Sequence, residues 1–238
     1  MRVAAAILSL GLVLGSVLPA GGEPPKQAAY PAVPRQALAS TLRIEIWSQG
    51  RRIGTGSGVA IAPSRVLTAA HVAEDLEPRG EEGLAPPLEL RVEVRLPRHK
   101  ASVLAAGKVL WADRDLDLAE LEVDVVLPVW LELDLAGDVE EGEALFCIGA
   151  PAGKFAQAAS LGFLSCKAQD VREKGLPFLW QSSNALFFGN SGGPILSART
   201  GKVVGIAVRG TGNAFGLAPN WCGFVPLCEP RAKARLAR

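Results

Sequence analysis

A single serine, Ser191, stands among glycines in Phe187-Phe188-Gly189-Asn190-Ser191-Gly192-Gly193-Pro194, a run that apolar segments enclose on both sides. Glycines flanking a hydroxyl let the backbone turn sharply and approach a reacting carbonyl, leaving amide N–H groups to bind the oxygen that becomes negative. These residue types suit a nucleophile, although Gly, Asn, Ser and Pro also form ordinary turns. A base and an orienting acid elsewhere decide between the two. The chain has two histidines. His99, in Leu96-Pro97-Arg98-His99-Lys100, lies among cations that disfavour its protonated form, and reads as an exposed loop residue. His71 follows Thr68-Ala69-Ala70 at the end of an apolar strand and is the better base. Asp113, Asp115, Asp117 and Asp124 are the candidate acids. Asp117 precedes Leu118-Ala119 at the start of an alternating strand, where a carboxylate is partly buried and rigidly held, as fixing a histidine tautomer requires. Asp115 could share its face and is the alternative; the remaining acids read as a solvated surface.

The elements that position these groups are short strands. The 238 residues carry 26 glycines and 17 prolines, and 25 basic residues nearly balance 24 acidic ones, which argues against a nucleic-acid partner. Alternating apolar and polar residues predict strands at 41–47, 53–62, 88–96, 101–111 and 116–126, with a further strand from Arg65 giving way to a short helical turn that carries His71. That set suffices to close one small barrel. After Pro128 the pattern restarts at 144–148, 159–166, 178–182, 194–197, 203–209 and 222–226, without a visible sequence repeat between the halves. The domain reading is an N-terminal barrel over 40–128, a C-terminal barrel over 129–228 and a basic, alanine-rich tail over 229–238 that forms a short helix. Residues 77–87 read as a loop.

Residues 1–20 run from Arg2 through an apolar block into small residues near Pro19-Ala20, the pattern of a secretory signal peptide. The block falls short of a full bilayer span and has no basic cluster after it, so cleavage is expected rather than a retained anchor, with no stable membrane insertion afterwards. Residues 21–39 read as a Pro/Ala-rich leader or linker. Export predicts a secreted or periplasmic protein and makes Cys147, Cys166, Cys222 and Cys228 candidates for disulfides. Cys147 and Cys166 sit in two apolar runs joined as a hairpin would join them, which favours that pair together with Cys222–Cys228. The second bridge requires the chain to bend after Pro226. Free buried thiols are the alternative.

The order His71, Asp117, Ser191 resembles the trypsin-like (chymotrypsin-fold) serine peptidases, and within them the bacterial HtrA/Deg type. The matching stretches are Gly56-Ser57-Gly58-Val59, Leu67-Thr68-Ala69-Ala70-His71-Val72, Asp117-Leu118-Ala119, Gly189-Asn190-Ser191-Gly192-Gly193-Pro194, Gly201-Lys202-Val203-Val204-Gly205-Ile206 and Gly223-Phe224-Val225-Pro226. The resemblance implies an all-β fold of two antiparallel six-stranded barrels with the active site between them. It implies Ser191 as nucleophile, His71 as general base and then acid, Asp117 as its orienting partner, and the N–H groups of Gly189 and Ser191 as the oxyanion hole, with no metal or cofactor. It places the pocket for the side chain before the scissile bond at Ala185, Leu186, Val208, Arg209, Gly210 and Gly223. With no acid at Ala185, small-to-medium apolar side chains of a polypeptide substrate are expected. Two departures stand out. Glu120 occupies a usually apolar position, which implies a wet outer face or a basic neighbour, and the short stretch after the second barrel leads us to expect none of the PDZ domain that many HtrA proteins carry. A protease-fold binding module that does not cleave is the competing reading. An α/β-hydrolase elbow matches Gly189 to Gly193 formally, but its triad order runs serine, acid, histidine.

Overall fold

The computed structural model describes residues 31–74, 89–95, 102–153, 157–169, 179–210 and 221–237. The predicted signal segment, the 77–87 loop and His99 lie outside the described residues. Within them, β1 (Thr41–Ser48), β2 (Arg51–Ala62), β3 (Arg65–Thr68), β4 (Glu89–Arg95), β5 (Ser102–Asp113) and β6 (Leu118–Val123) close the first antiparallel barrel in the order β1-β2-β3-β6-β5-β4. The second, of β7 (Ala144–Gly149), β8 (Ala158–Gln169), β9 (Leu179–Ser182), β10 (Pro194–Ser197), β11 (Val203–Gly210) and β12 (Cys222–Pro226), closes as β7-β8-β9-β12-β11-β10. The two orders are the same when counted from each barrel's first strand, so the topology repeats although the sequence does not.

Strand periodicity explains how one segment serves two cores. In β7, Leu145 and Cys147 face the second barrel's core with Trp180, Ile195 and Phe224, while Phe146 and Ile148 join the apolar cluster that continues from the first barrel. Both sets are buried, so β7 reads as an unbroken apolar run rather than an alternating one. The connection between barrels is stitched to both: Leu131 N donates to Ala60 O at 3.0 Å and Asp134 N to Val203 O at 2.8 Å.

Two short helices brace the ends. Helix α1 (Arg35–Ser40) buries Ala37 completely, and Thr41 Oγ1 donates to the Ala37 carbonyl at 2.8 Å. Six residues are too few for a readable 3.6-residue stripe, and the sequence gives no helix here. The C-terminal helix (Pro230–Leu236), labelled α3 because α2 (Ala70–Ala73) precedes it, starts with Pro230 in its first turn and the Glu229 carboxylate accepting from Ala232 N at 2.8 Å. Its Arg231 reaches Asp113 on the first barrel at 2.8 Å.

Glu120 has the basic neighbour its position implies. It is only 5% exposed; Arg65 Nε donates to one carboxylate oxygen at 2.5 Å and Trp111 Nε1 to the other at 2.6 Å.

The cysteine pairing differs from expectation. All four cysteines are free thiols. Cys147 faces Ser160 across β7–β8, whereas Cys166 lies further along β8 opposite Gln181. That offset amounts to roughly 20 Å of extended chain at ~3.4 Å per residue, far beyond the reach of a disulfide. The β7–β8 hairpin is present, but its register excludes the bridge. Cys147 instead packs with Cys222 in the second barrel's core. The neighbouring Cys147 thiol, with burial, holds the Cys222 thiol well above its ordinary pKa. Cys228 lies past the end of β12 against Gly137, its thiol raised by burial.

Candidate active site

Pairing of β3 with β6 brings the histidine and the acid together. Thr68 lies opposite Ala119 in that ladder, so His71, three residues past Thr68, and Asp117, two before Ala119, emerge at the same end of the sheet. His71 sits in the single turn of α2 that follows β3. Asp117 closes the tight turn between β5 and β6, where its amide donates to Arg114 O at 3.3 Å and Asp113 Oδ1 accepts from Leu116 N at 3.1 Å. Its φ of 54° is left-handed, a conformation Asp tolerates better than most residues. Asp117 Oδ1 accepts from His71 N at 2.9 Å, and the carboxylate spans His71 Nδ1 at 2.8 and 3.0 Å. The other acids are engaged elsewhere. Asp113 and Asp115 bind Arg231, and Asp124 accepts from Ala106 N at 2.9 Å.

The serine lies in the loop between β9 and β10, three residues before Pro194. Gly192 has φ 84°, and a Cβ there would come within 2.1 Å of Ser57 O and 2.2 Å of Thr68 Oγ1. The loop therefore seats directly on β2 and β3 of the first barrel, beside the strand that leads to His71. No hydrogen bond joins the Ser191 hydroxyl to His71. Catalytic hydrogen bonds of this kind are often long without substrate and tighten in the reacting complex.

The carbonyls of this loop are held while two of its amides are not. Phe188 O accepts from Ala152 N at 2.6 Å, Gly189 O from Ser57 Oγ at 2.6 Å, Asn190 O from Gly193 N at 2.9 Å and Ser191 O from Ser57 N at 2.8 Å. The N–H groups of Gly189 and Ser191 donate to no other atom among the described residues. Gly189 has φ 96°, and its missing Cβ would lie 2.4 Å from Ala150 O, so only glycine fits. The sequence pointed to the glycines but not to Ser57, Ala150 or Ala152. Ala152 is itself left-handed at φ 55°, which no local residue type announces.

The expected pocket residues fall on two walls. Leu186 is partly buried against β11, where a Cβ on Gly210 would lie 3.0 Å from its Cδ2. Gly223 pairs with Arg209 across β11–β12, with Val208 buried and Arg209 and Gly210 exposed at the strand end. Ala185 is exposed, and its carbonyl accepts from Ser160 Oγ at 3.1 Å. Behind this wall the fully buried Asn184 donates to Leu145 O and Ser160 O at 3.0 and 2.8 Å. Among the described residues no three His, Cys, Asp or Glu side chains cluster as metal ligands, and no helix is long and apolar enough to cross a membrane.

Residues 56–206 match the family model of the trypsin-like peptidase domain. Among curated proteins the chain is 32% identical over 177 residues to a putative serine protease HhoB of Synechocystis sp., covering 71% of this chain and 38% of that protein. It is 31% identical over 163 residues to the mitochondrial serine protease HTRA2 of Bos taurus, covering 65% of this chain and 31% of HTRA2. A probable periplasmic serine endoprotease DegP-like of Hahella chejuensis is 38% identical over 102 residues, 42% of this chain and 21% of that protein. The matches thus span less than half the length of these relatives. With its two six-stranded barrels and a family match over most of both, the chain belongs to the trypsin-like peptidase domain family.

Proposed function

We propose that the protein is an exported serine endopeptidase that cleaves polypeptides through an acyl-enzyme intermediate. Ser191 attacks the scissile carbonyl while His71 takes its proton and later delivers it to the leaving amine. Asp117 fixes the His71 tautomer so that Nε2 faces the reaction, and stabilises the imidazolium. The carbonyl oxygen, negative in the tetrahedral intermediate, receives the N–H groups of Gly189 and Ser191. The observation that carries this reading is the double contact of Asp117 with His71, to main chain and ring, on the barrel edge against which the Ser191 loop is seated.

Leu186 narrows the pocket beside Gly210, which favours small-to-medium apolar side chains before the scissile bond; substrate adds as a strand beside Val208 to Gly210. The signal-like residues 1–20 and the periplasmic DegP-like relatives support a secreted or periplasmic location. A fluorophosphonate probe tests the activity. Labelling of Ser191 in wild type, lost in Ser191→Ala, is expected, together with cleavage of a peptide library by wild type alone. A folded wild type that neither labels nor cleaves would instead be a peptide-binding module.

A further inference from the structure

We propose that Ser57 is a positioning residue for the oxyanion loop, clasping it to the first barrel by hydroxyl and main chain together. The proposal rests on the assignment of the Gly189 and Ser191 N–H groups as oxyanion donors. Each donor belongs to a peptide plane, and a plane's orientation is set by what its carbonyls and those of its neighbours bind. Two of the four consecutive carbonyls from Phe188 to Ser191 are held within the second barrel, by Ala152 N and Gly193 N. The other two, of Gly189 and Ser191, are held by Ser57 alone. The donor N–H groups themselves share planes with the Phe188 and Asn190 carbonyls, so Ser57 holds the plane that follows each donor; because glycine rotates freely, the Gly189 donor plane keeps its angle only while the next plane is held.

Ser57 is fully buried. Its hydroxyl proton goes to Gly189 O at 2.6 Å and its oxygen accepts from Ala150 N at 2.9 Å, so the O–H cannot rotate without orphaning two main-chain groups away from water. Its carbonyl accepts from Thr68 Oγ1 at 2.6 Å, and Thr68 ends the strand that leads to His71. One residue of β2 thereby ties the base-bearing strand, the residue after β7 and the carbonyls of both donor residues into one hydrogen-bonded unit. This also gives the Gly56-Ser57-Gly58 stretch a role beyond close strand packing.

The test compares the full chain as wild type, Ser57→Ala, Ser57→Cys and Ser57→Thr, measuring kcat and KM on a chromogenic peptide, affinity for a peptide boronic acid, pH profile and thermal midpoint. An oxyanion contact forms only as the reaction proceeds, so Ser57→Ala is expected to lower kcat about 10- to 100-fold with KM changed less than about twofold. Boronic-acid affinity should fall in parallel with kcat, and the pH midpoint of kcat/KM should stay in place. Ser57→Cys, which keeps the shape of the side chain but is bulkier and donates weakly, should follow Ala, and Ser57→Thr should recover most of the loss; if Ser57→Ala does not fold, the Cys variant decides. A folded Ser57→Ala or Ser57→Cys with wild-type kcat, or with its loss confined to KM, would overturn the clasp while leaving the proposed function standing. A wild type that neither cleaves nor binds the boronic acid would overturn both.

Discussion

Asp117 grips His71 at two points, its main-chain N–H at 2.9 Å and its ring Nδ1 at 2.8 Å. The first contact locks the helical turn on which the ring stands and the second locks the ring itself. Asp117→Asn keeps the shape but offers an amide that can stabilise the wrong tautomer, so kcat should fall about 10⁴-fold with little change in KM. Steady-state kinetics on a peptide substrate, with circular dichroism to verify the fold, measure this.

In the proposed pocket Leu186 packs against Gly210, where an added Cβ would meet its Cδ2 at 3.0 Å. Leu186→Ala should widen the pocket and move preference toward larger apolar residues, Leu and Phe, by about 10- to 200-fold in relative kcat/KM, the range one or a few methylenes command. Cleavage profiling with a peptide library reads the shift. An unchanged profile would place the pocket elsewhere.

Glu120 satisfies both Trp111 Nε1 and Arg65 Nε from a nearly buried position. Glu120→Ala leaves the indole N–H unpartnered, whereas Arg65, at 42% side-chain exposure, can turn to water. A loss of about 1–3 kcal/mol in urea unfolding is expected, with Glu120→Gln losing less because it still accepts one of the two bonds.

The Cys222 thiol is raised above its ordinary 9.0 by the neighbouring Cys147 thiol and by burial. The folded state therefore keeps this proton when the unfolded chain has begun to release it. The stabilisation is fully present below about pH 9 and is lost as pH rises through the folded value, because between the two the native state binds more protons. The unfolding midpoint should decline above pH 9 in wild type and decline less in Cys222→Val. Ellman's reagent should leave Cys147 and Cys222 unreacted until denaturant is added.

The sequence by itself determined what depends on neighbours along the chain. Alternation located the strands to within a few residues, the glycines around Ser191 announced a turn built for close approach, and the small residues after Leu67 placed His71 at a strand end. These are legible because strand period and turn chemistry are local properties of the backbone. Tertiary structure decided what depends on register and closure. Asp117 and Asp115 are equivalent by composition; only the β3–β6 pairing puts the first against His71 and leaves the second with Arg231. Cys147 and Cys166 share a hairpin, yet barrel closure sets Cys147 against Cys222, from a strand that is not its sheet neighbour. Ser57 is an ordinary polar residue in a glycine-rich strand until the second barrel lays the Gly189 and Ser191 carbonyls against it. Hydrogen bonds between segments more than ninety residues apart carry no periodic signature, so the orientation of Gly189 could be found only in the folded molecule.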